Sequence, residues 1–190
     1  MIGATEMPVS IFPYDTWAAL PHGPSVLDEM FRARAAQFRD RLGWDVCVAQ
    51  NGWEVDQYDP RPCQYAILTD GQHHLASMRL MPTTAPHMAD DVFKSDLRLK
   101  GVWEVSRFCL SQTAPQDAAR RLFLGVGQAA FQMGLEGLVG IFDRRMVKVY
   151  GRFGFAPDEI PLGSHNVPGD IRFGYWKCSR FASASFGVAA

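Results

Sequence analysis

Glu104 stands between Trp103 and Val105 in the run Val102-Trp-Glu-Val-Ser-Arg-Phe-Cys-Leu110. The alternation partners Val102, Ser106 and Phe108 are largely apolar. A carboxylate in such a strand is costly to bury unless it is paired. Arg34, Arg79 and Arg107 are candidate partners, and Asp56 and Asp59 add two acids in a polar stretch. These residues alone allow two readings: a buried ion network without chemistry, or an acid–base site in which Glu104 moves a proton. Arg34 by itself reads as a snorkelling surface group, and Asp56 and Asp59 as turn residues. Glu104 and Arg107 are three apart, so a regular strand would turn them to opposite faces. Either a β-bulge lies between them or they serve different surfaces.

Other spacings are set aside. Gly125-Val-Gly127-Gln-Ala-Ala130 matches a dinucleotide-loop pattern, but the glycines lie inside a helical pattern rather than after a strand. Close packing of a helix face explains them better. The same stretch lacks the Gln or Arg before its first glycine that a coenzyme A pyrophosphate loop wants; Leu122 is there. His22, His73, His74, His87 and His165 form no zinc-ligand spacing with each other or with cysteine. No metal and no cofactor is expected.

Three segments taken together are specific. Arg34-Ala-Ala-Gln-Phe38 leads on to Trp44; Glu54-Val-Asp56-Gln-Tyr58-Asp59 follows; then Met78-Arg79-Leu80-Met81-Pro82-Thr83-Thr84, Phe93 and Trp103-Glu104-Val105-Ser106-Arg107-Phe108. In this order they resemble the acyl-homoserine-lactone synthases of bacterial quorum sensing, the LuxI-type autoinducer synthases. The helix ending Tyr150-Gly-Arg-Phe-Gly154-Phe155 resembles that of GNAT-fold N-acyltransferases. The resemblance runs from about Met30 to Phe155. It implies a GNAT-like α/β (α+β) fold with a mixed, splayed sheet and helices on both faces. It also implies transfer of an acyl group from acyl carrier protein to the amine of S-adenosylmethionine (SAM), with lactonisation and release of methylthioadenosine.

On that resemblance Glu104, Ser106 and Arg107 are the catalytic group, with Glu104 as general base directly or through water. Arg34, Phe38, Trp44, Asp56, Asp59, Arg79 and Phe93 hold SAM. Phe108, Met133, Phe142 and Met146 wall an acyl pocket. Leu138 to Phe142 contains no Ser or Thr to bond a 3-oxo group, which implies an unsubstituted chain. Two other readings stay open: a GNAT-fold acyltransferase joining acyl-CoA to a small amine, and a non-enzymatic SAM- or acyl-binding sensor.

The elements that must position these residues follow from periodicity and punctuation. Leu27, Met30, Phe31, Arg34 and Phe38 recur at helical spacing, predicting a helix from about Val26 to Asp40 capped at Ser25 and ended by Gly43. Strands over Cys63 to Thr69 and His74 to Leu80 flank the turn signal Asp70-Gly71. Val102 to Leu110 reads as a strand. Pro115 to Met133 reads as a helix stopped by Gly134, and Gly137 to Phe142 as a buried strand. A helix capped by Asp143 ends at Gly154, and Ile171 to Cys178 is a last strand. The residues from 179 onward read as a loosely ordered tail.

The chain of 190 residues is 47% hydrophobic with a net charge of -1, which suits one globular domain rather than a surface that grips nucleic acid throughout. Charge is uneven, however. Residues 1–60 form an acidic segment of nine acids against four bases. Between 118 and 152 stand Arg120, Arg121, Arg144, Arg145, Lys148 and Arg152 against two acids, a candidate docking surface for the acidic carrier protein. The N-terminus has no secretory pattern, no stretch is long enough to predict a membrane span, and four dispersed cysteines suit a reducing cytoplasm.

Overall fold

The computed structural model describes residues 9–94, 97–161 and 170–183. Among the described residues seven strands form one sheet: β1 (Val9–Phe12), β2 (Gln64–Thr69), β3 (His74–Pro82), β4 (Val102–Leu110), β5 (Gly137–Asp143), β6 (Asp158–Glu159) and β7 (Ile171–Lys177), in the order β1-β2-β3-β4-β5-β7-β6. It is mixed: β4 and β5 are parallel, while β1–β2, β5–β7 and β6–β7 are antiparallel. The helices are α1 (Tyr14–Ala18), α2 (Gly23–Ala35), α3 (Met88–Phe93), α4 (Ala118–Gln132) and α5 (Arg145–Arg152). The chain gathers into two compact units, residues 1–79 with 107–125 and residues 80–106 with 126–190.

In the first unit α2 buries Val26, Leu27, Met30, Phe31, Arg34 and Ala35, a stripe at helical spacing that carries a charged side chain inward. Phe31 stacks on Trp53 at 4.9 Å and meets Tyr65 edge-on. The helix starts earlier than expected: Pro24 fits its first turn, His22 is the N-cap and Ser25 lies inside. Its last turns widen into a π-helical segment, Ala36–Arg41, where Leu42 N–H donates to Gln37 O. Gly43 then takes φ +67°, a left-handed conformation that ends the helix and folds Trp44 back onto Phe38. The predicted hairpin is present. Asp70 accepts from the Gln72 and His73 amides, closing its turn.

In the second unit Ala89, Phe93, Val102, Val139 and Phe173 form a core cluster. Phe142, Tyr150 and Trp176 pack as three mutually contacting rings. A Cβ on Gly127 would stand 2.2 Å from the Phe181 ring, so this glycine serves close packing, as expected. Pro115 does not open a helix; α4 begins at Ala118, whose N–H donates to Pro115 O. Asp143 does accept from the Arg145 amide at the start of α5. The segment expected to be a loose tail begins instead as a 3-10 turn, Cys178–Phe181, with Phe181 buried against Phe155; residues 184–190 lie outside the described residues. Among the described residues no helix is long and apolar enough to cross a membrane.

Candidate active site

Three arginines and three carboxylates interlock inside the first unit. Arg34, on the buried face of α2, donates through Nε to Glu54 Oε2 at 2.6 Å. Its two Nη groups bond both oxygens of Asp59 at 2.9 Å. Arg79, in β3, holds Asp56 at 2.6 and 3.1 Å and approaches Asp59 at 3.1 Å. Arg107 donates through Nη2 to Glu54 Oε1 at 2.9 Å and lies 2.7 Å from Asp56. Tyr65 OH donates to Asp59 at 2.8 Å. Arg34, Glu54 and Arg79 are fully buried, which only such pairing makes tolerable. The forked guanidinium suits this role because it bonds two carboxylate oxygens at once.

The turn reading of Asp56 and Asp59 also holds. Asp56 accepts from Tyr58 N–H, and Asp59 accepts from Asp56 N–H. The polar loop therefore fixes both acids before the arginines reach them. Burial by itself would raise the Asp59 pKa, but Arg34 and Arg79 outweigh it and hold this carboxyl well below its usual range. Burial would likewise lower the Arg34 pKa, and the Asp59 and Glu54 carboxylates keep it above normal.

Sequence reasoning missed Glu54 as a site residue, although it stands two positions before Asp56. The signal available was an acid next to an aromatic, Trp53, which is too common to single it out. Tyr65 was missed because its hydroxyl partner cannot be read from a strand pattern.

Aromatic groups border the cluster. Phe38 is buried, with the Arg107 guanidinium 5.2 Å from its ring centre and Trp44 stacked at 5.2 Å. Trp44 itself is 43% exposed, leaving ring surface open to a ligand. Arg107 has φ +55°, a left-handed conformation uncommon for a side chain of its kind. The described ladder between β4 and β5 runs from Val102↔Gly137 to Val105↔Gly140. Arg107 pairs with Glu54 and Asp56, so it serves partners other than the α3 amides that bond Glu104.

In the second unit Glu104 is fully buried, and its carboxylate accepts from two backbone amides at the start of α3. Met88 N lies 3.3 Å from Oε1 and Ala89 N 2.7 Å from Oε2. Ser106 is buried. Phe93 sits in the core cluster against Phe173 at 5.1 Å, a packing position away from the ion cluster's bonds.

Of the expected pocket residues, Phe142 is buried in its aromatic trio, while Phe108 and Met146 are half-buried. Met133 is 46% exposed, standing just past the end of α4 rather than lining a buried wall. Arg144, Arg145, Lys148 and Arg152 are all exposed on or beside α5, and their spacing puts the last three on one helical face. Arg145 pairs with Asp143. Arg120 and Arg121 lie in the first turn of α4 and are half-buried, Arg121 pairing with Asp117. Among the described residues no group of His, Cys, Asp and Glu is arranged to hold a metal ion.

The autoinducer synthase family model matches residues 22–166. An acyl-homoserine-lactone synthase of Rhizobium etli is 36% identical over 162 residues, covering 78% of this chain and 76% of that protein. A solved CoA-dependent acyl-homoserine lactone synthase with SAM and isopentyl-CoA superposes with a TM-score of 0.77 at 19% identity, covering 92% of this chain and 85% of its own. An acyl-CoA N-acyltransferase from Pseudomonas aeruginosa shares the fold at a TM-score of 0.57 and 18% identity, covering 88% of this chain and 97% of its own. The GNAT-like fold is thereby established.

Proposed function

This chain belongs to the autoinducer synthase family and is an acyl-homoserine-lactone synthase, and from that premise we propose that SAM is its acyl acceptor and an acyl carrier protein its donor. The observation that carries the SAM reading is the ion cluster. Its three cations and three carboxylates balance, so the amino-acid end of SAM, one ammonium and one carboxylate, can join it without changing its net charge, while the sulfonium's positive charge is left outside it. Asp56 and Arg107 are its accessible corner, 12% and 10% exposed at the side chain. Asp56 would take the SAM ammonium and Arg107 its carboxylate. Trp44 offers its open face to the adenine or the sulfonium.

Glu104 is the general base of this reading. The SAM ammonium must shed a proton before nitrogen attacks the thioester carbon. The N–C bond forms and the C–S bond breaks; one proton leaves through the base and another goes to the departing thiolate. The SAM carboxylate oxygen then attacks its own γ-carbon, and the carbon–sulfonium bond breaks to release methylthioadenosine. Backbone N–H groups near Arg107, whose φ of +55° departs from regular strand, are the candidates to stabilise the thioester oxyanion. The acyl chain is unsubstituted at the 3-position, because β5 carries no Ser or Thr to meet a 3-oxo group.

The exposed basic face of α5 supports a carrier-protein donor. The fold relative bound to isopentyl-CoA makes acyl-CoA the competing donor. The test supplies the purified protein with SAM and one straight acyl chain, carried either on acyl carrier protein or on CoA. Mass spectrometry of the products then follows lactone and methylthioadenosine. Equal amounts of both, with a higher kcat/KM for the carrier protein, are expected. Lactone without SAM consumption would overturn the acceptor, and a higher kcat/KM for acyl-CoA would overturn the donor.

A further inference from the structure

The two amides that hold Glu104 belong to a helix of six residues, α3, which is too short to be stable by itself. Its apolar side is anchored by Ala89 and Phe93 in the core cluster. Its first turn is tied down separately, by Asp90. One oxygen of Asp90 accepts from the Leu97 amide at 3.0 Å. The other accepts from the His87 amide at 3.1 Å and from Arg98 Nη1 at 2.7 Å. The His87 ring adds to the knot: Nδ1 donates to Ala85 O at 3.0 Å and lies 3.2 Å from the same Asp90 oxygen. Burial would raise the Asp90 pKa, yet the Arg98, His87 and Leu97 bonds outweigh it and keep the carboxyl ionised.

We propose that Asp90 is a positioning residue for acyl transfer: tied to Arg98 and Leu97, it fixes the start of α3 and with it the two amides that aim the Glu104 carboxylate. The proposal rests on the reading of Glu104 as general base. Removing Asp90 leaves Phe93 and Ala89 in the core, so α3 stays docked while its first turn loosens. A base displaced by a fraction of an ångström to an ångström loses rate steeply.

The experiment compares Asp90→Ala, Asp90→Asn and Glu104→Gln by steady-state kinetics in SAM and by thermal melting. Asp90→Ala should lower kcat about tenfold with SAM KM unchanged, because the ion cluster uses none of these residues. Asp90→Asn keeps an amide-accepting oxygen at the cap and should restore most of kcat. Full kcat in Asp90→Ala beside an inactive Glu104→Gln overturns the positioning role and leaves Glu104 as the base. An active Glu104→Gln overturns the reading of Glu104 and this proposal with it. A loss expressed in SAM KM rather than kcat overturns the proposal. If Asp90→Ala fails to fold, Arg98→Ala, at a side chain 34% exposed, carries the same comparison. A kcat lowered a few-fold at constant SAM KM supports the role, and an unchanged kcat overturns it.

Discussion

Glu54 stands between Arg34 and Arg107, accepting from the first at 2.6 Å through Oε2 and from the second at 2.9 Å through Oε1. It links a helix residue to one far along the chain, and it has no exposure to water with which to replace either bond. Neutralising Glu54 leaves one positive charge of the buried network uncompensated, although Arg34 keeps Asp59 and Arg107 keeps Asp56, at a cost of about 3–5 kcal/mol. Glu54→Gln should therefore lower the melting temperature by about 6–20 °C in a chain of this size. Calorimetry of the purified variant checks it. A melt within a degree or two of the parent would show that the network does not depend on this carboxylate.

Glu104→Gln keeps the shape of the side chain and one oxygen for the α3 amides, but cannot accept the ammonium proton. Turnover should fall about a hundredfold or more in a variant that still folds, with some loss of melting temperature because the new NH2 faces one α3 amide N–H. Rates at neutral pH with saturating SAM are the measurement, and near-normal turnover would remove Glu104 from the mechanism.

Lys148 and Arg152 lie one turn apart on the exposed face of α5. Reversing both to Glu should raise KM for the acyl carrier protein several-fold at low salt while SAM KM stays constant. The difference should shrink as salt is added, because exposed charges are screened. Equal carrier KM values in variant and parent would exclude this face as the docking surface.

His74 is buried in β3, with Nε2 3.0 Å from Ser77 Oγ. Burial holds its pKa down at about 4, below the ordinary 6.5. The unfolded chain therefore binds a proton that the folded chain refuses, and stability falls as pH drops from about 6.5 toward 4. At about 1.4 kcal/mol per pH unit, the full loss is on the order of 3 kcal/mol. Urea unfolding at pH 7 and pH 5 should show the decline in the parent and a weaker one in His74→Gln. Equal slopes would assign the acid sensitivity to other groups. Asp59 contributes in a lower window: its depressed pKa supplies stability above about pH 4 that is lost as pH falls beneath the ordinary carboxylate range.

The sequence by itself determined the family, the order of the main elements and the arginines of the ion cluster. β4 spans the predicted residues, because β-branched and aromatic residues mark a strand locally. The Asp70-Gly71 turn and the helix stops at Gly43 and Gly134 were also legible, since a positive φ is a local demand that glycine meets. Arg34, Arg79 and Arg107 were legible as members of an ion cluster around a buried acid, because a carboxylate on an apolar strand must find partners. The acid expected there was Glu104, with Asp56 and Asp59 read as turn residues, whereas the observed bonds give the arginines to Glu54, Asp56 and Asp59. Tertiary structure decided who those partners are. Glu54 meets Arg34 across 20 residues and Arg107 across 53, distances over which no periodicity carries information. α3 is too short to show a helical period, yet its amides receive Glu104. Backbone donors belong to every residue alike, so residue types cannot say which amides will face a buried carboxylate. That depends on how β4 and α3 pack.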